Sequence, residues 1–463
     1  MARAQYWVVV LVGGPGCLAN SGLMGGAGSE RLIATTAVRL AQKRYRQQAR
    51  AVRSSLVVAA LVGMTCVASA ATSSNHPERS SHELRVYSSL PLSGTQRFSQ
   101  RAHARAIARG AQLALDEAGA VAGGHRVRYL SLNDATRSAG TWAPERVAAN
   151  ARRAVLDRST IAYLGDYNSG ASAISMPILN EGGIPQISPS NAAIGLTRGG
   201  PGADRGEPSR YYPTGRRHYF RIAPNDRVQG GALAVVMRDR GCRRAASLTD
   251  GEVYGSGVAA WLRRYARRVG MRVVYANRIP RRGGSFRRFA RRVRTRRPKC
   301  VVFTGVTPNG AVALFRALAR TLPRAKLFAS DGVSDSDFTD PRRGGLPPSV
   351  GRRVLVTDYT LAPEAYPPSG QDVLRRYAQR YGERFSDPYA LRGYEAMRLV
   401  LDAIAAVGPD RRAVIQWLRS VRGRPGVLGT YGFDQYGDTT LRDYGVYRIL
   451  RGELIWSGAV RAP

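Results

Sequence analysis

The chain has 463 residues, room for two or three domains, and its 44% hydrophobic content suffices for packed cores, which excludes wholesale disorder. A formal charge of +39 points first to nucleic acid, yet only three lysines occur (Lys43, Lys299, Lys326) and the arginines are scattered through every segment. With no RNA-recognition signature, zinc-finger spacing or basic stripe interleaved with aromatics, the charge reads as a solvated basic surface with affinity for anionic envelope polymers, and no nucleic-acid partner is expected.

Arg44, Arg46, Arg50 and Arg53 precede the apolar run "SSLVVAALVGMTCVASA", which closes on Ala68-Ser69-Ala70. A charged segment, an apolar core and a small-x-small site predict an export leader over 1–70, cleaved after Ala70. Some fifty residues ahead of the apolar core suggest a start assigned too far upstream, so that 1–50 is not made. Two alternatives stay open. Cys66 could carry a lipid, although "GMTC" lacks the usual Leu and small residue before the cysteine, or uncharged Ser54 to Ala71 could remain as a membrane anchor. Residues 71–83 form a polar tether.

From Leu84 short apolar strands alternate with amphipathic helices. "LRVYSSLPL", "HRVRYLSLND", "TIAYLGD" and "IPQISP" read as strands. Between them, "RAHARAIARGAQLALDEAGA", "APERVAANARRAVLD" and "SAISMPILNEGG" read as helices. After the Gly/Pro/Arg-rich stretch "RGGPGADRGEPSRYYPTGRR" the alternation restarts with strands "AASLTD", "MRVVYANRI", "CVVFTG" and "AKLFAS". A long helix, "YALRGYEAMRLVLDAIAAVG", and a turn-rich strand hairpin close the chain. Strand–helix alternation implies parallel sheets with right-handed crossovers, and two series imply an α/β fold of two doubly wound lobes.

Ligands of such sheets sit beyond the carboxyl ends of the strands, at helix N-termini. "GDYNSGASAISMPILNEGGIPQISPSNAA", Gly165 to Ala193, holds two such positions, carries no Lys or Arg, and is rich in Ser, Gly and Asn. "DGEVYGSG", "GVTPNG" and "SDGVSD" are its counterparts in the second series, so five loops could face one another across a cleft. Of the four cysteines, Cys17 and Cys66 fall in the leader. Cys242 and Cys300 each start an apolar run, and they form a disulfide if those strands are parallel neighbours or stay as two buried thiols if not. His-Glu-x-x-His, Cys-x-x-Cys, Gly-x-Ser-x-Gly and phosphate-loop patterns do not occur, so no catalytic residue, cofactor or metal is expected. His76 and His82 fall in the tether, and His103, His125 and His218, without ligand spacing, read as surface residues.

Taken in order, "PLSG", "LNEGGIPQISPSNAA", "YFRIAPNDRVQGGALA", "DGEVYGSG", "SDG" and "FDQYGD" make the chain from Leu84 onward resemble the type I periplasmic binding proteins, in the leucine/isoleucine/valine-binding branch that serves ABC importers. The resemblance implies two lobes joined by three crossing strands, near 220–223, 354–360 and 429–433. Residues 84–222 and 358–430 would form the first lobe, and 223–357 and 431–463 the second. It implies a monomer that closes on a small ligand, an amino acid or a related molecule, and delivers it to a membrane permease. By position, Ser169 would meet the ligand carboxylate and Ser190 would offer backbone. Ala192 stands where a Thr hydroxyl is usual, which removes one polar contact and leaves an amide-like ligand open. Tyr254 would cover the ligand, Asp331 would receive its ammonium in place of a longer Glu, and Thr307 would line the second lobe. Extra residues after "PLSG" leave the place of Phe98 open. The same fold also serves extracellular sensors, which remains the alternative function.

Overall fold

The computed structural model describes residues 83–93, 100–136, 141–280, 284–382 and 387–463. The chain divides into two units, Met1–Glu78 and Arg79–Pro463, and every described residue belongs to the second. The leader, Cys66, all of the tether but Glu83, and Phe98 lie outside the described residues.

Two sheets organise the chain. The first runs β2-β3-β1-β4-β5-β6, built from β1 (Leu84–Leu90), β2 (Val121–Ala122), β3 (His125–Asn133), β4 (Thr160–Gly165), β5 (Gln186–Ser188) and β6 (Tyr219–Arg221). All its pairs are parallel except the short β2 edge. The second runs β15-β14-β11-β10-β9-β7-β8. Its strands are β7 (Arg244–Thr249), β8 (Arg272–Arg278), β9 (Cys300–Thr304), β10 (Lys326–Ala329), β11 (Val354–Asp358), β14 (Asp443–Leu450) and β15 (Glu453–Arg461). The closing hairpin β14–β15 adds to the β11 edge in antiparallel sense. A small ribbon pairs β12 (Arg424–Gly426) with β13 (Gly429–Tyr431).

Side chains on successive strand residues point to opposite faces, and the central strands of both sheets are buried on both faces. Val301 and Phe303 of β9 pack with α6 (Phe286–Thr295) and α7 (Ala311–Thr321), while Cys300 and Val302 pack with α4 (Asp226–Asp239) and α5 (Val253–Arg268). In the first sheet Ala162 and Leu164 of β4 join α1 (Gln100–Glu117) and α9 (Tyr389–Val407), and Tyr163 joins α2 (Pro144–Leu156) and α3 (Ser169–Glu181). Helices on both faces of a mostly parallel sheet, twice over, are the doubly wound α/β architecture. Two further helices on the first sheet's side are α8 (Pro368–Tyr381) and α10 (Arg411–Ser420). Cys242 and Cys300 are joined by a disulfide, their Cα atoms 5.9 Å apart, because β7 and β9 are parallel neighbours with Ala245 opposite Cys300.

Where the sheets join, the chain is held by buried arginines. Arg392 on α9 donates to the carbonyls of Ile222 and Tyr359, both at 2.6 Å, and so ties the segments that leave β6 and β11. Arg221, fully buried, donates to Asp438 at 2.7 Å and to the Ala193 carbonyl. Burial alone would raise the Asp438 pKa, but Arg221 and Arg198 outweigh it and hold the carboxyl below its usual range. This network corrects one expected boundary. The third crossing, expected near 429–433, comes later in the chain. Phe433 packs in the first core cluster and the chain enters the second sheet only at Asp443, because Arg221 holds Asp438 back.

Candidate functional site

The loops that leave the carboxyl ends of β4, β5, β7, β9 and β10 surround one cavity between the two sheets' halves, with about 790 Å³ of atom-free space including its mouth.

On the first side, much of the serine-rich stretch holds itself together. Asp166 is fully buried and accepts from the hydroxyls of Ser172, Ser175 and Tyr163. Burial lifts its pKa to about 6 against those hydrogen bonds. Ser188 Oγ donates to the Asp166 carbonyl at 2.9 Å and Ser190 Oγ to the Tyr167 carbonyl at 2.8 Å, while Asn191 Nδ2 reaches both carbonyls at 3.0 Å. These bonds fix the backbone of residues 166–170 where α3 begins. Ser169 opens that helix and lines the cavity, its hydroxyl accepting from the Ala193 N–H at 3.2 Å. Asn168 gives the helix no side-chain cap. The first N–H groups of a helix lack intrahelical acceptors, so this wall offers donors and a partial positive charge. A Cβ on Gly170 would stand 2.7 Å from the Trp142 indole, so only glycine lets that ring close down on the helix start.

The opposite wall is acidic. Asp250, also buried, accepts from the N–H groups of Glu252 and Val306 and from Asn309, which ties the two loops together. Asp331 lies half-buried on the cavity side, its Oδ1 accepting from Tyr254 Oη at 2.7 Å and from Gln229 Nε2. Both bonds fall on one oxygen. Burial and then the nearby Asp358 push its pKa well above the usual carboxylate range. Asp335 also lines the cavity, caps the turn at Ser336–Thr339, and is raised chiefly by burial.

His103 of α1 spans the gap. Its Nδ1 meets Asp387 at 2.5 Å, its Nε2 lies 3.0 Å from the Ser334 carbonyl on the other side, and its ring stacks on Tyr389 at 4.2 Å. Burial pushes its pKa down, but the Asp387 carboxylate overcomes this and lifts it to about 9. Protonated, the ring donates from both nitrogens. Tyr167, Tyr359 and Tyr389 complete an aromatic side.

A match to the periplasmic binding protein family spans residues 89–453. The chain belongs to that family. No curated protein matches the sequence. Among solved structures, a leucine binding protein, LivK, from Thermotoga maritima is 24% identical over 82% of this chain and 99% of its own, with a TM-score of 0.67. The branched-chain amino acid transporter substrate binding protein LivJ from Streptococcus pneumoniae, in complex with isoleucine, is 18% identical over 82% of this chain and 100% of its own, at 0.66. A solute binding protein of an ABC transporter from R. palustris, in complex with benzoate, is 19% identical over 82% and 97%, at 0.65. At these identities the likeness is one of fold.

For this periplasmic binding protein the cavity gathers Ser169, Ser190, Tyr254 and Asp331. Two expected residues stand elsewhere. Ala192 is buried behind the wall, its carbonyl accepting from the Asp226 N–H at 2.7 Å. Thr307 is buried and borders an outer groove, while its neighbours Val306, Pro308 and Asn309 line the cavity. His103, read as a surface residue, is corrected to a cavity residue. The signal was present: it sits four and eight residues before Ile107 and Ala111, on the helix face that packs against the core. His218 is also buried rather than exposed, bonded to Asn180.

Proposed function

We propose that the protein captures a small zwitterion, an amino acid or a close relative, in this cavity and hands it to the permease of an ABC importer. The observation that carries the reading is the polarity of the two walls, a helix start with Ser169 on one and the Asp331 carboxylate on the other. A carboxylate is met by helix N–H groups and a hydroxyl, an ammonium by Asp331, and neither wall alone satisfies both ends. Binding therefore favours the state in which the walls approach, and that state is what a permease can distinguish. On this reading the leader exports the protein and is cleaved to leave Ala71 as the first residue; the mass of the mature chain checks this, and a chain that keeps the leader or carries a lipid on Cys66 would count against it.

An aromatic carboxylate would suit the tyrosine side, but it would leave Asp331 without a cation. A thermal-melt screen against amino acids, small amides and benzoates separates the two. A specific ligand at 100 times its dissociation constant adds about 2.7 kcal/mol of stability. Stabilisation by benzoates with none by amino acids overturns the zwitterion reading.

A further inference from the structure

On the outer side of the second sheet, α6 and α7 and the loop at 341–344 enclose a groove with about 2900 Å³ of atom-free space including its open side. Seven of its eighteen lining residues are arginines. The placement is specific. Arg287, Arg291 and Arg294 follow one another at helical spacing along the exposed side of α6, whose other side buries Phe289, Ala290 and Val293. Arg316 and Arg320 form a second row on α7. Arg342 and Arg343 are matched by Asp340 and Asp337. Among the described residues no carboxylate lies within ion-pair distance of the five on the helices. Arg316 is instead anchored on the carbonyls of Gly344 and Gly345, which keeps its charge in the groove.

Like charges at helical spacing, and two such rows lining one groove, oppose the fold unless counter-charge lies between them. Arg287 to Arg294 extends about 10 Å along the helix axis, longer than one phosphate can span. We propose that this groove binds a linear polyanion of repeated phosphate groups. Arginine suits it because the planar guanidinium meets phosphate oxygens bidentately and keeps its charge at every working pH. The groove also adjoins the cavity: Pro308 lines both, so a polymer held here lies against the outside of the turn whose other side faces the ligand. The inference does not rest on the identity of the ligand in that cavity.

The test titrates the full protein with sodium polyphosphate at several salt concentrations. It compares wild type with Arg287→Ser/Arg291→Ser/Arg294→Ser and with a control, Arg152→Ser/Arg412→Ser/Arg419→Ser, that removes the same charge from exposed positions elsewhere. The groove variant is expected to bind about tenfold to a hundredfold more weakly, and its log–log salt slope to fall by about two to three. The control should match wild type in binding, inorganic phosphate should bind far more weakly than the polymer, and the groove variant, relieved of like charges along α6, should melt no lower than the control. Equal losses in both variants reduce the effect to net charge and overturn the proposal. So does wild-type protein that ignores polyphosphate, or that binds anionic-lipid vesicles but not the free polymer.

Discussion

Replacing Asp331 by Asn keeps the side-chain shape and removes the charge on the acidic wall. In the structure Asp331 Oδ1 already receives Tyr254 and Gln229, and the amide oxygen of the substituted side chain can take both, so the wall should stay in place. What changes is the group offered to an ammonium. A hydrogen bond to a charged group contributes about 1.5–3 kcal/mol, so affinity for an amino acid should fall about tenfold to more than a hundredfold. Stability should move the other way. The carboxyl's folded pKa is raised by burial and by Asp358, so it favours the folded state while protonated, and that contribution is lost as pH rises through the folded pKa. At neutral and alkaline pH the Asn variant should therefore melt at or above wild type, with the margin widening as pH rises. The same shift predicts that wild-type affinity weakens as pH falls through a range where an ordinary carboxylate, near pKa ~4, would not change. Calorimetric titration and melting curves across pH read all three. Undiminished amino-acid binding by the variant would refute the role given to the charge, and a collapse in melting temperature would make Asp331 a structural residue.

Ser169→Ala should cost about 1–2 kcal/mol of binding, because the helix N–H groups remain, and a loss as large as that of Asp331→Asn would contradict that ranking. The His103 pair with Asp387 contributes stability that is complete below the ring's unfolded pKa near ~6.5 and is lost as pH rises through about 9. NMR titration should find the ring still protonated at pH 8 and its pKa lowered by Asp387→Asn. Non-reducing peptide mapping should link Cys242 with Cys300. For a sequence separation of 58, removing the bridge should cost about 4 kcal/mol on the chain-entropy account, whereas an unchanged melting temperature after reduction would count against that figure.

The alternation of strands and helices was legible because the central strands of both sheets are buried on both faces, so β9 and β10 read as unbroken apolar runs. The loops at the strand ends were legible for the same reason. What sequence could not show is which hydroxyls are already engaged: Ser172, Ser175 and Ser188 look like ligand donors until Asp166 is seen to gather them around its carboxylate and carbonyl. Long-range pairs stayed hidden too. Asp438 keeps its segment with the first sheet through Arg221, 217 positions earlier, and no local pattern marks that tie. The pairing of His103 was hidden because its partners, Asp387 and Ser334, lie on separate segments more than two hundred residues away.

A crystal structure of the protein with the amino acid that stabilises it best would show which wall meets which end of the ligand. One molecule should occupy the cavity, its carboxylate against Ser169 and the start of α3 and its ammonium on Asp331. A ligand bound elsewhere, or one whose ammonium faces Ser169, would contradict that placement.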